Sequence, residues 1–454
     1  MSKLLSSVYQ LSSRRARPAL YARRGAQAGF YLMLVLLLLS HASAANPGPF
    51  GWLPAPAILN RYGWRIGPLA LLPLLILAGW AYSWRAAPAA RRPAWSWGRR
   101  EITLPLAGLS LLALAHIAAG APPTLAVPLG LFWFIYLFLL NNDCAGLKWV
   151  LVVVLLGQSI VAIGQFGGQR PLNLTWLGEA AMDLNVSGTS VIRHNGANWL
   201  RAYGLNSHPN QLGLLLTALL LMVWPYRRAT SRERVVVWAA LGLGLAGLAV
   251  SWSRAAWLGL LVGAAVYALP WLRNRQFRHI SRRQIALWFA GAAVSFTFLY
   301  SFSDAVANRL LLLDSELELW SLYERKRDTT IALQIIAEHP AAGVGLGNYL
   351  AAAQQKEPTA QIVHNVPLLI AAELGLAGLA LWLAFLLAPL PRPGAFARYA
   401  PQMAVWLALI VISLAQPEPH LFLIKGAALW ALAAAAQKNS AQSAAPALPG
   451  RLEL

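Results

Sequence analysis

Cysteine is almost absent. The 454 residues contain one, Cys144, so an intrachain disulfide framework and a Cys-based metal site are both excluded. Acidic side chains are scarce as well, with 16 Asp and Glu against 37 Lys and Arg, and charged residues of every kind make up only 12% of the chain. An ordinary soluble domain carries roughly twice that share, while 58% of these residues are hydrophobic. The composition is that of a polytopic membrane protein. No Asp-rich stretch of the kind that collects a divalent metal stands out in the loops, and no cofactor motif or internal repeat is visible. The glycines of "GVGLGNY" (Gly343 to Tyr349) lack the preceding strand and βαβ unit that a dinucleotide fingerprint needs.

What the chain has in excess is long apolar runs. Reading runs of about 17 to 25 residues as helices able to cross about 30 Å of hydrocarbon gives about twelve spans. They lie near 28–45, 66–84, 102–121, 123–140, 147–165, 210–226, 235–252, 255–272, 284–302, 365–388, 401–417 and 419–436. Orientation follows from Arg and Lys, because short basic loops stay on the cytoplasmic side. Residues 1–27 hold six (Lys3, Arg14, Arg15, Arg17, Arg23, Arg24), and "RAAPAARRPAWSWGRR", "RRATSRER", "RNRQFRHISRR" and "PRPGAFAR" hold five, four, five and two. These segments are assigned inside and the alternate ones outside, a sorting that accounts for much of the net charge of +21. The charge therefore calls for no nucleic-acid partner.

The expected fold is an all-α integral membrane protein. A basic cytoplasmic N-terminus occupies 1–27, spans one to five 28–165, an external loop 166–209, spans six to nine 210–302, a large external loop 303–364, spans ten to twelve 365–436, and a cytoplasmic tail that reads as disordered 437–454. The stretch "YLMLVLLLLSHASAANPG" imitates a signal peptide with a cleavage site at Ala42–Ser43–Ala44. The long basic leader and the spans that follow favour a retained first span.

The two long external segments differ in kind. Segment 166–209 is rich in Gly, Asn and Ser and is expected to be an irregular loop packed on the bundle. Segment 303–364 carries eight acidic residues against five basic. Within it, "WSLYERKRDTTIALQIIAEHP" sets Leu322, Ile331 and Ile335 at helical spacing and ends at Pro340. This predicts an amphipathic helix lying along the outer membrane interface.

Positive-inside sorting disfavours Arg on the outer rim, yet four segments put it there or set a His beside it. They are "NWLRAYGLNSHPNQLG" with Arg201 and His208, "SWSRAAWLG" with Arg254, "YERKRD" with Arg325 and Arg327, and "VHN" with His364 and Asn365. Arginine offers a fixed fork of donors suited to phosphate and stays charged when partly desolvated. Histidine titrates near 6.5 and can take a proton beside it. Lipid-linked substrates carry a pyrophosphate at this depth, so a shared anionic ligand is one reading of the rim. Snorkelling interface anchors are the other reading for each Arg alone. His364 suits either capping of the next helix or proton transfer, and "HPN" reads as a helix start with Pro209 in the first turn and Asn or Ser nearby as cap. Inside the spans, Glu373 and Lys425 are ionisable. Glu373 turns about 180° away from His364 on an ideal helix, and an ion pair with another span is its expected role. A transporter or lipid flippase is the competing class. It would call for polar or broken helices near the midplane and two related halves, whereas the polar clusters sit at one rim.

The blocks "RAYGLNSHPNQLG", "SRAAWLG", "ERKRDTTIALQIIAEHPAAGVGLGNYL" and "HNVPLLIAAELGLAG", in that order over about two-fifths of the chain, resemble the O-antigen ligase and O-antigen polymerase family of membrane glycosyltransferases. The resemblance implies a bacterial inner-membrane protein with its active site on the periplasmic face. It implies transfer of a glycan from a polyprenyl-pyrophosphate carrier to an acceptor hydroxyl (lipid A core, growing glycan or protein), among membrane lipids and without metal or cofactor. It matches His364 to the family's His at the end of the long loop, Arg254 to the Arg of its Ser-Arg block, Arg325 to the Arg ahead of the Ala332–Leu333 pair, and Arg201 to the Arg that opens the Pro-Asn block. The implied roles are a general base for His364 and pyrophosphate stabilisation for Arg254 and Arg325. Arg201, Arg327, Asn365 and His208 complete the implied binding set. Val366–Pro367 stands where family members often carry an aromatic, and Arg327 competes with Arg325 for the same assignment.

Overall fold

Most of the apolar runs become helices. A computed structural model of the chain describes residues 2–40, 72–87, 94–122, 125–184, 188–228, 230–273, 297, 300–311, 316–392, 396 and 399–437. The expected ninth span at 284–302 falls almost wholly outside them, as do the Ala42–Ser43–Ala44 motif, the basic loop from 274 to 283 and the tail from 438 onward. In chain order the helices are α1 (Ser2–Leu39), α2 (Leu72–Ala86), α3 (Arg100–Ala118), α4 (Ala126–Asn141), α5 (Leu147–Gly168), α6 (Pro209–Val223) and α7 (Ser231–Ser251). They continue as α8 (Arg254–Arg273), α9 (Ser303–Leu311), α10 (Glu316–Glu338), α11 (Tyr349–Lys356), α12 (Val366–Leu387), α13 (Ala400–Ser413) and α14 (Ile424–Ala436). Five stretches, Pro18–Leu39, Arg100–Ala118, Leu147–Gly168, Arg232–Ser251 and Val366–Leu387, are long and apolar enough to cross a membrane, and α4, α8, α13 and α14 supply shorter apolar helices.

Helix α6 is the axis of the bundle. It is apolar all round, and within it only Gln211 and Met222 escape full burial, as expected for a helix enclosed by others. Helices α7, α8 and α13 pack around it, and α8 runs closely along α13. Gly263 permits that approach, since a Cβ there would press on the Leu221 side chain and sit 3.1 Å from the Ala404 carbonyl oxygen. Trp382, Phe385, Trp406 and Trp430 interlock where α12, α13 and α14 meet, with Trp430 edge to face against the other three and its ring centroid 4.8 Å from that of Trp406.

Three expectations are corrected. Segment 166–209 is not wholly irregular: β1 (Val191–His194) and β2 (Ala197–Leu200) form an antiparallel hairpin with Val191 opposite Leu200. Its turn is Asn195–Gly196, both at positive φ, and this dipeptide is a strong hairpin signal in any sequence. His194 Nδ1 and the Asn195 amide both meet the Asp304 carboxylate, at 2.6 and 2.7 Å, pinning the hairpin to α9. Second, α10 forms as expected and ends before Pro340, but Leu322 is exposed, and the face that packs is Asp328, Ile331, Ala332 and Ile335. That face closes a small core with Tyr349, Ala353, Val363 and Leu369 rather than lying on lipid. Third, α13 and α14 stop at Ser413 and start at Ile424, because Pro417 and Pro419 break the run. A 14-residue helix is only about 21 Å long, so the ten-residue connection lies inside the bundle, with Gln416 and His420 buried.

Candidate active site

Two stretches of unwound backbone enter the bundle, and buried polar side chains hold them. Backbone amides in an apolar interior must find partners. Gln165 Oε1 accepts from Tyr203 and Gly204, and Gln158 Oε1 accepts from Leu205. Lys425 donates to Asn206 Oδ1 and to the Leu205 carbonyl. On the other side, Val344 and Gly345 donate their amides to the carbonyls of Ala372 and Glu373, where α12 is kinked at Gly375. Gly343 and Gly375 both have φ of +68°, and a Cβ on either would run into the opposite backbone. The Glu373 carboxylate accepts from the Tyr349 amide that starts α11. Its partner is therefore backbone, not the basic side chain of another span.

These anchors fix the segments that carry the rim residues. Arg201 follows β2 and is buried. Its Nε donates to the Ser251 carbonyl at 3.0 Å and its Nη2 to Asn210 Oδ1 at 3.0 Å. A side chain enclosed in this way is not a snorkelling anchor. His208 is itself the cap of α6, correcting the expected Asn or Ser: its Nδ1 accepts from the Asn210 amide, and Nε2 lies 3.0 Å from Ser190 Oγ. Ser251, left-handed Trp252 and Ser253 make the turn that launches α8 at Arg254, and Ser253 Oγ accepts from Gln416 Nε2 at 3.3 Å. That bond brings the start of α8 beside the connection between α13 and α14.

The helix sends Arg325 and Arg327 in different directions. Two residues apart, they point about 200° from each other. Arg327 is committed locally, with Nε and Nη2 on Asp328 Oδ1 and Nη1 and Nη2 on Thr359. It ties α10 to the 357–361 segment and stands apart from the other rim residues. Arg325 shares a face with Asp328 and Ala332, and its charge acts on both His364 and Glu418.

His364 does not cap α12. Asn365 does, its Oδ1 accepting from the Leu368 amide while its Nδ2 donates to the Leu414 carbonyl. The Nδ1 of His364 is buried and makes no hydrogen bond among the described residues. Burial first, and then the Arg325 guanidinium, press its pKa from 6.5 down to about 4, against the opposing pull of the Asp328 carboxylate. At neutral pH the ring is uncharged.

Glu418 is the group that the reading of apolar runs passed over. It lies in "QPEPH", between Pro417 and Pro419. Burial pushes its carboxyl up to about 7, while Arg325 and Arg201 pull the other way. Its Oε1 is 3.8 Å from His208 Nδ1 and its Oε2 is buried without a hydrogen-bond partner among the described residues. The Nδ1 lone pair of His208 is already taken by the Asn210 amide, so the approach of Glu418 is a contact and not a hydrogen-bonded ion pair. A carboxylate flanked by helix-breaking prolines between two apolar runs was the available signal. Arg201, His208, Arg325, His364 and Asn365 are thus drawn together around the Glu418 connection, with the start of α8 at Arg254 beside it, while Arg327 is held by Asp328 and Thr359.

Residues 239–383 match the family model described as O-antigen ligase. The matched segment contains Arg254, Arg325, Arg327, His364 and Asn365, and leaves Arg201, His208 and Glu418 outside it. No curated protein matches the chain.

Proposed function

Residues 239–383 make the chain a member of the O-antigen ligase family, and on that premise we propose that it transfers a glycan from a polyprenyl-pyrophosphate carrier to an acceptor hydroxyl at the outer face of the bacterial inner membrane. The observation that carries the reading is the uncapped, neutral imidazole of His364 beside Arg325. The acceptor hydroxyl gives its proton to His364 as its oxygen bonds to the anomeric carbon. The bond from that carbon to the carrier breaks on the opposite face, and the pyrophosphate departs with the electron pair, inverting the configuration. Arg254 and Arg325 meet the charge that grows on the leaving group, a preorganised stabilisation of the oxyanion-hole type. Arg201 is held by Ser251 and Asn210 and sets the inner wall, with Asn365 and His208 holding the helix starts on either side. This site requires the expected topology: about twelve spans, a cytoplasmic N-terminus, and the 166–209 and 303–364 segments outside.

The test is transfer from a defined lipid-linked donor by purified protein. His364→Ala should lose about 10²- to 10⁴-fold in turnover while donor binding survives. With Asn365 as the cap, His364→Asn should be equally impaired, and full activity in either variant would remove His364 from the chemistry.

A further inference from the structure

The N-terminal half of α10 presents a second surface that the transfer chemistry leaves unused. Trp320, Tyr323, Glu324 and Arg327 fall at one-turn spacing on a single face of the helix, and they line a cleft of about 470 Å³ completed by Glu357, Thr359 and Gln361. The two rings are 60% and 58% exposed, their centroids 5.7 Å apart and their planes 33° from parallel. Arg327 is engaged with Asp328 and Thr359, and Glu357 accepts from the Thr359 hydroxyl at 2.8 Å. The floor is therefore fixed, and the carboxylates of Glu324 and Glu357 give the cleft a negative cast. Gln361 is three residues from His364, which limits the distance along the backbone to about 10 Å.

An open cleft with this lining suits few ligands. The electron-rich faces of Trp320 and Tyr323 attract the C–H face of a sugar ring, and carboxylate and carboxamide groups take its hydroxyls as hydrogen-bond donors and acceptors. The volume falls in the range of small-ligand sites and holds one or two pyranose rings. Anionic lipid headgroups and acidic sugars would meet the two carboxylates and be repelled. We propose that this cleft is a subsite for an uncharged saccharide, placed to grip a sugar next to the one that reacts at His364. The placement rests on the transfer reading above, whereas the binding stands on the cleft alone.

The full chain in lipid nanodiscs provides the test. The probes are two free oligosaccharides, one released from the acceptor glycan and one from the lipid-linked donor, with binding measured by calorimetry. One of them should bind, which identifies the source, and Trp320→Ala and Glu324→Gln should each weaken it about tenfold, or about 1.4 kcal/mol. Leu333→Ala, an exposed position on the same helix outside the cleft, should not change it. The same variants should raise KM for the bound partner with kcat retained, as loss of uniform binding does. A uronate-bearing analogue should bind more weakly. Absence of binding by both oligosaccharides, or unchanged binding in Trp320→Ala with a normal unfolding temperature, would overturn the subsite. So would loss of tryptophan quenching by brominated lipids in Trp320→Ala, because the ring would then be a bilayer contact. A chain that binds sugar through Trp320 yet transfers none would instead overturn the transfer reading and leave the subsite standing.

Discussion

Replacing Arg325 with Gln should raise the proton affinity of His364 and weaken donor binding in the same protein. His364 stands at about 4 rather than 6.5 because of burial first and the Arg325 charge second, with Asp328 opposing. The whole displacement corresponds to roughly 3 kcal/mol, and since burial is the larger cause, deleting the guanidinium should lift the pKa by about one pH unit. Arg325→Lys keeps the charge and should leave it near 4, although it loses the two-pronged grip on phosphate. Carbethoxylation attacks only the neutral ring, so its rate at the His364 peptide, read by mass spectrometry between pH 4 and 7, reports the titration directly. A bound pyrophosphate works in the same direction as the Gln variant, because it sets negative charge against Arg325. At an effective dielectric of about 20 and roughly 6 Å, each such charge is worth on the order of two pH units before screening. The acid limb of kcat, which belongs to the donor complex, should therefore lie at higher pH than the limb of kcat/KM, which belongs to the free enzyme. On the proposed mechanism, an imidazole too weak as a base in the empty site should become competent when the donor arrives. Coincident limbs, or an Arg325→Gln protein in which His364 titrates as before, would refute the coupling.

Three further outcomes are expected. Glu418, raised to about 7, is a neutral acid below that pH and an anion above it, so affinity for a pyrophosphate donor, ionised throughout, should fall as pH rises from 6 to 8; Glu418→Gln should bind donor with no such dependence in a radiolabelled-donor assay. Gly375→Ala places a Cβ against the Ala341 carbonyl at a φ of +68° and should cost about 3 kcal/mol or more, seen as a lowered unfolding temperature and early proteolysis near 341–349. In a Cys144→Ser background, Gln355→Cys should react with impermeant thiol reagents in intact spheroplasts and Arg232→Cys should not, and the reverse pattern would invert the rim.

The helices were legible because their apolar length is a property of the sequence alone, and so was the stop of α10 at Pro340. What escaped was set by single residues inside long runs. A hydropathy window averages Pro417, Glu418 and Pro419 into their apolar neighbours, so the shortened α13 and α14 and the buried carboxylate between them were invisible to it. Asn195–Gly196 was readable as a hairpin turn, but the weight of Gly, Asn and Ser around it favoured an irregular loop. The identity of the capping residues followed a general preference order for His208, where geometry instead made the imidazole the cap. The competition between Arg325 and Arg327 could have been narrowed from helical angle, yet only the position of Thr359 shows that Arg327 is tied to the 357–361 segment.

Glu373 and Lys425 show why intramembrane charge is a poor guide to chemistry by itself. A charge in a span is costly, and for Glu373 the sequence suggested an ion pair with another span. Each instead satisfies backbone that has left the helix: Glu373 at the Tyr349 amide, Lys425 at the Leu205 carbonyl and the Asn206 side chain. The two loops so held are the ones that run into the rim, from Leu205 to the His208 cap and from Gly343 to α11, which packs with Val363, next to His364. A site that works by preorganised charge gains little from donors that must first be ordered. The cost of a buried ion is therefore offset where it matters, in the rigidity of backbone that carries Arg201 on one side and His364 on the other. Neutral substitutions such as Glu373→Gln, which still accepts a hydrogen bond, keep that geometry, whereas Glu373→Leu leaves the Tyr349 amide unpaired and frees the turn that packs beside His364.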